Sequence, residues 1–351
     1  MSDTTVILPQ FVELGTNKIT GLLHILKKHQ VAYNKALLLH DDNTINIGGN
    51  DIITTLRETN IRVINQTVEN SDEKTARRIK GTIKENSPDL VIGFGGGKVL
   101  DVAKLAAADN NVRFISIPTT LSNDGLASPV SVIKDDDNIP ISHITKPPHG
   151  VIIDIDIVKK APLRHLMAGV GDLLSNLSAV FDARLAHEKK QEQIDTNALE
   201  LAEVGGKRLL ELGAKKIDSP VFLENLAQGL VKSGFAMCLF GTSRPASGSE
   251  HKISHSIDHY FPPSKGLHGE QVGIAALFTM ALQKNSYYEA VSSFYKKIGF
   301  PGKLSHLGLN QEEFIRVVLN ATRIRPVRYT ILEHVRPSAD DIKGLLKKTN
   351  L

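Results

Sequence analysis

Tryptophan is absent from the 351-residue chain, and cysteine occurs once. A lone thiol, Cys238, excludes an intramolecular disulfide and a thiolate-rich metal site. It lies in the apolar stretch FAMCLFG, where a thiol packs as a small inert hydrophobe. Aromatic residues make up only 5% of the chain, which argues against a base-stacking surface. The formal net charge is +4 with no concentrated basic run, so neither nucleic-acid nor membrane-surface binding is expected. The longest apolar run, near VGIAALFTMAL, is too short to span a bilayer. The N-terminus MSDTTVILPQFVELG has no basic region followed by a long apolar run, so no signal peptide is expected and the cytoplasm is the expected location. With 41% hydrophobic and 23% charged residues, the chain has ample material for a globular core, and its length suits two domains or one large one.

The first 160 residues alternate β-rich runs with helical patterns. KALLLH (35–40), IRVINQ (61–66), DLVIGF (89–94), RFISIPTT (113–120), SPVSVIK (128–134) and GVIIDIDIV (150–158) read as strands. A helix is expected from about Asp51, another after a capping Ser71, and a third through GGKVLDVAKLAAADN. Strand–helix alternation at this pitch implies a parallel sheet with helices on its faces. Beyond about residue 160 every long segment is helical in period. The expected fold is therefore an α/β N-terminal domain with a parallel Rossmann-like sheet, residues 1–160, and an all-α C-terminal domain, residues 161–351.

The junction VIGFGGGKVLDVAK (91–104) matches neither G-x-G-x-x-G nor the P-loop spelling. Its strand-to-helix turn nevertheless carries Gly95, Gly96 and Gly97, then Lys98 and Val99. Glycines there let a bulky ligand approach the backbone, and the helix N-terminus offers unpaired N–H groups and a positive dipole end. That combination predicts an anion site suited to a pyrophosphate. A second loop, IPTTLSNDGLASP (117–129), follows the next strand and is dense in hydroxyls and amides, with one carboxylate, Asp124. In an open parallel sheet, ligands sit at such strand ends. The acids of HDDN after the first strand favour NAD over NADP, because a carboxylate there would bind a ribose and repel a 2′-phosphate.

The helical half holds AGVGDLLSN with Asp172, SGSEHKISHSIDH with His251, His255 and His259, and GLHGEQVG with His268. His251 and His255 share a helix face. One Asp with two His from separate segments makes a three-ligand site that leaves a position open for substrate. Asp/His₂ ligation accepts zinc or another divalent ion.

GFGGGKVLDVAK, IPTTLSNDGLASP, GVGDLLSN, GTSRPASGSEHKISHSID, LHGEQVG and RYTIL, in that order, resemble the sn-glycerol-1-phosphate dehydrogenase family. This is one branch of the superfamily of iron-containing alcohol dehydrogenases, glycerol dehydrogenase and 3-dehydroquinate synthase. The resemblance spans about residues 90 to 332 and implies a dehydroquinate synthase-like fold. It implies that Gly95, Gly96, Gly97, Lys98 and Val99 hold the NAD pyrophosphate, and that Thr119, Thr120, Leu121, Ser122 and Ser128 line the cofactor near the nicotinamide. It further implies that Asp172, His251 and His268 ligate zinc, and that Asp124, His255 and Asp172 meet the substrate. HDDNTINIGG is less like the family's text.

The activity so implied is reversible, metal-dependent reduction of dihydroxyacetone phosphate to sn-glycerol 1-phosphate by NADH, with NADPH as the alternative cofactor. The product would serve lipid backbone synthesis, and a homo-oligomer is compatible with the chain. His255 is the candidate to orient a substrate hydroxyl or relay a proton. Arg244 with Ser247 and Ser249 is the first candidate for the substrate phosphate, because a guanidinium matches phosphate geometry. Lys265, Arg325 and Arg328 follow. The rival readings are a glycerol dehydrogenase acting on unphosphorylated polyols, a dehydroquinate synthase-type cyclase, and an NAD-binding redox sensor. An intact Asp172, His251 and His268 set argues against the sensor, which needs no Lewis acid.

Overall fold

The computed structural model describes residues 5–58, 61–213, 216–262 and 265–351. Contacts divide the chain into two compact units, one running to Leu121 and resuming at Gly125–Pro162, the other made of Ser122–Asp124 and Leu163–Leu351.

The first unit contains strands β1 (Phe11–Gly15), β2 (Lys35–His40), β3 (Arg62–Thr67), β4 (Leu90–Gly95), β5 (Arg113–Pro118), β6 (Val130–Lys134), β7 (Pro140–Ile144) and β8 (Gly150–Asp154). Its helices are α1 (Leu22–Lys28), α2 (Asn50–Arg57), α3 (Glu73–Asn86), α4 (Gly97–Asp109) and the short turn α5 (Ile155–Val158). Six strands form one wholly parallel sheet in the order β1-β8-β5-β4-β2-β3. The central strands are continuous apolar runs, fully buried from Ala36 to Leu39 and from Leu90 to Ile92, as a sheet covered on both faces requires. The chain leaves β2 outward to β3 and returns to β4 on the other side of β2. The sheet therefore has its topological switch point at the C-terminal ends of β2 and β4, where such sheets bind ligands.

The parallel sheet expected from the sequence is present, with local corrections. SPVSVIK lies outside it: β6 pairs antiparallel with β7 in a separate hairpin. GVIIDIDIV stops being a strand at Asp154, whose side chain accepts from Asp156 N–H and caps α5. Helix α3 is capped by Asp72, which accepts from Thr75 N–H at 2.8 Å, whereas the Ser71 hydroxyl donates to the Val132 carbonyl. Strands β1 and β7 were not expected.

The second unit is helical: α6 (Leu163–Lys190), α7 (Thr196–Leu212), α8 (Pro220–Phe240), α9 (Ser249–Tyr260), α10 (His268–Gln283), α11 (Tyr288–Ile298), α12 (Gln311–Ile324), α13 (Ile331–Val335) and α14 (Ala339–Thr349). Helix α6 is buried on all sides through most of its length and forms the unit's axis. It meets α10 backbone to backbone. A Cβ on Gly171 would stand 2.1 Å from the Gly269 carbonyl oxygen, and one on Gly269 would stand 1.9 Å from that of Ala168. Only glycine permits this approach, and it brings Asp172 of α6 beside His268 of α10. No described helix is long and apolar enough to cross a membrane.

Candidate active site

Gly95 ends β4, Gly96 precedes α4, and Gly97, Lys98 and Val99 form the first turn of α4. The two glycines have different reasons to be there. A Cβ on Gly95 would sit 2.5 Å from a Val99 methyl, so that position is fixed by packing. On Gly96 the nearest atom to a Cβ would be Thr120 Oγ1 at 3.4 Å, and its φ of −77° suits any residue. The fold does not require glycine at 96, and its absence of a side chain leaves the backbone open to a ligand. Thr119 N–H donates to the Gly95 carbonyl at 3.0 Å, tying the loop after β5 to the loop after β4. Thr119, Leu121 and Ser128 are buried, and the Ser128 hydroxyl has no hydrogen-bond partner among the described residues. An open glycine cradle after β4 and an orphaned buried hydroxyl in the loop after β5 fit a dinucleotide. Ser122 falls with the second unit. Beyond β2, the Asp41 carboxylate accepts from the Asn43 and Thr44 amides and lies 3.6 Å from Lys98 Nζ. A lysine at this point weakens the electrostatic case for NAD over NADP.

In the second unit Asp172, His251 and His268 present ligand atoms within 4.8 Å of one another. The Nε2 atoms of His251 and His268 are 3.3 Å apart, and His268 Nε2 is 3.8 Å from Asp172 Oδ1. Neighbouring groups fix both tautomers. His251 Nδ1 lies 2.9 Å from the Glu250 carboxylate, so Nδ1 carries the proton. For His268 the assignment runs along a chain. Gln271 Nε2 donates to Asp258, the Gln271 carbonyl accepts the Ser254 hydroxyl at 2.6 Å, and Ser254 oxygen is left to accept from His268 Nδ1 at 3.3 Å. Both Nε2 lone pairs then face each other and a carboxylate, an arrangement that a cation relieves.

The electrostatics agree. Burial, with the Arg325 and Arg328 charges, pushes His251 down to about 3. Burial and the neighbouring His251 lower His268, although part of its ring reaches solvent. Neutral imidazole is the ligating form. Burial and the Asp124 charge raise Asp172 well above the usual carboxylate range, a cost that a bound cation would offset. The donor set therefore fits a divalent metal ion.

Asp124 donates its backbone N–H to Asp172 Oδ2 at 2.9 Å, and its own Oδ2 accepts the Ser233 hydroxyl at 2.7 Å. Ser233 in turn accepts from Asn176 Nδ2 at 2.9 Å. Residues of α6 and α8 thus hold the loop carboxylate beside Asp172. His255 stands with its ring centroid 6.5 Å from those of both His251 and His268. Burial and then the Arg325 charge lower it well below the ordinary imidazole value, so it is neutral near pH 7. A neutral ring suits hydrogen-bond donation to a substrate oxygen better than proton delivery as an imidazolium. His259 is exposed and lies edge-on to Tyr260.

The first expected phosphate ligand, Arg244, is ion-paired within the protein. Arg244 is 2% exposed; its Nε lies 2.9 Å from Glu192, and it donates to the Tyr329 carbonyl at 2.7 Å. Ser249 gives its N–H to the Asp182 carboxylate, while its buried hydroxyl has no hydrogen-bond partner among the described residues. Lys265 is also committed, to the Gly308 carbonyl and to Glu313 at 3.8 Å. The residues not anticipated from sequence are Ser233 and Asn176, which hold Asp124, and Ser254, Gln271 and Glu250, which orient His268 and His251. The glycines flanking Asp172 and His268 were the one sequence signal for how these segments meet.

The family model described as iron-containing alcohol dehydrogenase matches residues 13–162. The chain is 37% identical to glycerol-1-phosphate dehydrogenase (NAD(P)+) of Archaeoglobus fulgidus, with 99% of each chain covered. It is 34% identical to the enzyme of the same name from Nitrosopumilus maritimus, covering 100% of this chain and 98% of that one. Among solved structures, glycerol dehydrogenase from Schizosaccharomyces pombe superposes with a TM-score of 0.81 at 23% identity, covering 100% and 92% of the two chains. An iron-containing alcohol dehydrogenase from Thermococcus thioreducens gives 0.76 at 16%, covering 98% and 99%. At these identities the two structures establish the fold.

Proposed function

The chain belongs to the glycerol-1-phosphate dehydrogenase family, and from that premise we propose that it reversibly reduces dihydroxyacetone phosphate to sn-glycerol 1-phosphate with NADH or NADPH. It is a metal-dependent oxidoreductase. The observation that supports this most is the convergence of His251 and His268 Nε2 on Asp172.

Asp172, His251 and His268 hold a divalent cation, zinc being the ion that best suits two imidazoles and a carboxylate with an open position. Gly95, Gly96, Gly97, Lys98 and Val99 hold the dinucleotide pyrophosphate, and Thr119, Thr120, Leu121, Ser122 and Ser128 line the nicotinamide end. When bound, the cation supplies a Lewis acid for the ketone and the dinucleotide supplies the hydride. The chain's own groups orient the substrate. Asp124, positioned by the Ser233 hydroxyl, accepts a hydrogen bond from the substrate's terminal hydroxyl. His255 donates to the oxygen on which negative charge develops during reduction. The buried setting of these groups strengthens both contacts.

The test is the rate of NADH oxidation by zinc-loaded protein with dihydroxyacetone phosphate and with dihydroxyacetone. A large preference for the phosphorylated ketone is expected, with sn-glycerol 1-phosphate as product. Turnover of dihydroxyacetone alone would assign the protein to glycerol dehydrogenase chemistry. No turnover of either, with zinc and NADH both bound, would favour a cyclase or a sensor. Lipid backbone synthesis in the cytoplasm is the use proposed for the product.

A further inference from the structure

The end of the parallel sheet opposite the glycine turn holds a basic cavity, lying wholly within the first unit. Its volume is about 180 Å³, and it sits where β5 and β8 begin. Arg113 opens β5, while Lys146 and His149 lie on the approach to β8. His149 N–H donates to the Phe114 carbonyl and Gln10 N–H to the His149 carbonyl, both at 2.7 Å, so the rim is tied to β5 and to the start of β1. Successive residues of a strand advance by about 3.3 Å, which puts Arg113 about 17 Å from the Pro118 end of β5, where the loop toward Asp124 leaves the sheet.

Arg113, Lys146 and His149 line this cavity, and among the described residues no carboxylate does. The two full cations are held by neutral acceptors. Arg113 Nη2 donates to the Ala32 carbonyl, and Lys146 Nζ donates to the Asn111 side-chain oxygen at 2.6 Å. Asp89 feels the Arg113 charge from outside the lining, and its Oδ2 accepts from the Asn34 and Lys35 amides. Lys104 also reaches the wall, with its ammonium held by the Gly125 and Val130 carbonyls. Burial and then the Arg113 charge lower His149 below the ordinary imidazole value. Ile7, Leu8 and Phe114 supply apolar wall. A basic recess without acids attracts an anion, and a guanidinium beside an ammonium matches the oxygens of a phosphate. The volume sets the size of the ligand. It falls below the roughly 300 Å³ at which pockets for larger organic ligands begin, and it accommodates a single phosphate group.

We infer that Arg113, Lys146 and His149 form a binding site for a phosphate group, separate from the candidate active site. The ligand class is a free phosphate ion or a small phosphomonoester. Arg113 and Lys146 supply the charge, and the neutral His149 ring donates an N–H. A phosphate held there bridges the start of β5 to the loop before β8, and so stabilises the first unit. Nothing in this site depends on the reaction proposed above.

The experiment is calorimetric titration of zinc-loaded, NADH-saturated protein with inorganic phosphate, and separately with methyl phosphate, at constant ionic strength. Wild type, Arg113→Gln and Lys146→Glu are compared. Wild type is expected to bind phosphate, and each variant to bind it at least about 10-fold more weakly. The thermal midpoint of wild type should rise with phosphate while those of the variants stay level. Methyl phosphate bound as well as the free ion assigns the site to phosphomonoesters; a preference for the free ion assigns it to inorganic phosphate. Arg113 also holds the Ala32 carbonyl, so if Arg113→Gln does not fold, Lys146→Glu decides, because that side chain is exposed and its hydrogen bond is to Asn111 alone among the described residues. No uptake of phosphate by wild type overturns the site. Uptake unchanged in a folded variant of either residue, as binding at the metal cluster would give, overturns it as well.

Discussion

His251 and His268 hold their Nε2 atoms 3.3 Å apart with no proton available between them. Two imidazoles at about 2.0–2.1 Å around a tetrahedral zinc would hold their nitrogens at about this separation. The pair is therefore spaced to take a cation, with Asp172 as the proposed third ligand. His268→Ala is expected to remove the metal and lower activity by about a thousand-fold or more. Elemental analysis of the purified variant, with circular dichroism to confirm folding, is the check. Stoichiometric metal in that variant would reject the ligand set.

The Asp258, Gln271, Ser254 and His268 chain fixes which nitrogen of His268 faces the cluster. Ser254 is fully buried and faces His268 Nδ1, away from the cluster, so its effect passes through the imidazole. Ser254→Ala should weaken metal affinity about 10- to 100-fold, the range found when partners behind a ligating histidine are removed. Competition with a chelator measures this directly. Excess zinc should restore kcat; a loss that zinc cannot restore would point instead to damaged packing.

The fold's own acid sensitivity can be located at β1. Glu13 is ion-paired with Lys28 at 2.7 Å, His29 at 2.8 Å and Lys18 at 3.1 Å. The Lys28 contact foremost, then that of His29, holds its carboxyl down at about 2, against an ordinary 4.5. A lowered folded-state value means stability present above pH 4.5 and lost as pH falls toward 2. Lys28 is more than half exposed, so screening reduces the contribution to about 1 kcal/mol. Glu13→Gln should unfold at lower urea than wild type at pH 7, and the gap should narrow between pH 4.5 and pH 3. A gap that stays constant over that interval would exclude Glu13 as its source.

The sequence carried the site better than its supports. Asp172 and His268 each adjoin a glycine, and those glycines let α6 and α10 touch, so ligand and packing signals coincide in GVGDLLSN and LHGEQVG. The central strands were legible because a doubly covered parallel sheet needs unbroken apolar runs such as KALLLH. Strand β1 escaped notice because it is a short edge strand, buried fully only at Phe11. Ser233 reaches Asp124 from 109 residues away, a contact that only helix packing creates. Arg244 was misread for the same reason. No local pattern shows that Glu192, 52 residues distant, pairs with it.

Gly96 separates what the fold needs from what the cofactor needs. Its backbone suits any residue, and an added Cβ would meet only the Thr120 side chain at ordinary contact distance. Gly96→Ala should therefore fold with a stability within about 0.5 kcal/mol of wild type. The new methyl would stand where a pyrophosphate approaches the first amides of α4, so NADH affinity should fall at least about tenfold. Gly95→Ala is the contrasting case, because its Cβ would sit 2.5 Å from a Val99 methyl. That variant should lose stability whether or not cofactor is present. Both affinities can be read from NADH fluorescence on binding, free of interference from a chain that has no tryptophan. Undiminished NADH binding by a folded Gly96→Ala protein would move the pyrophosphate away from this turn.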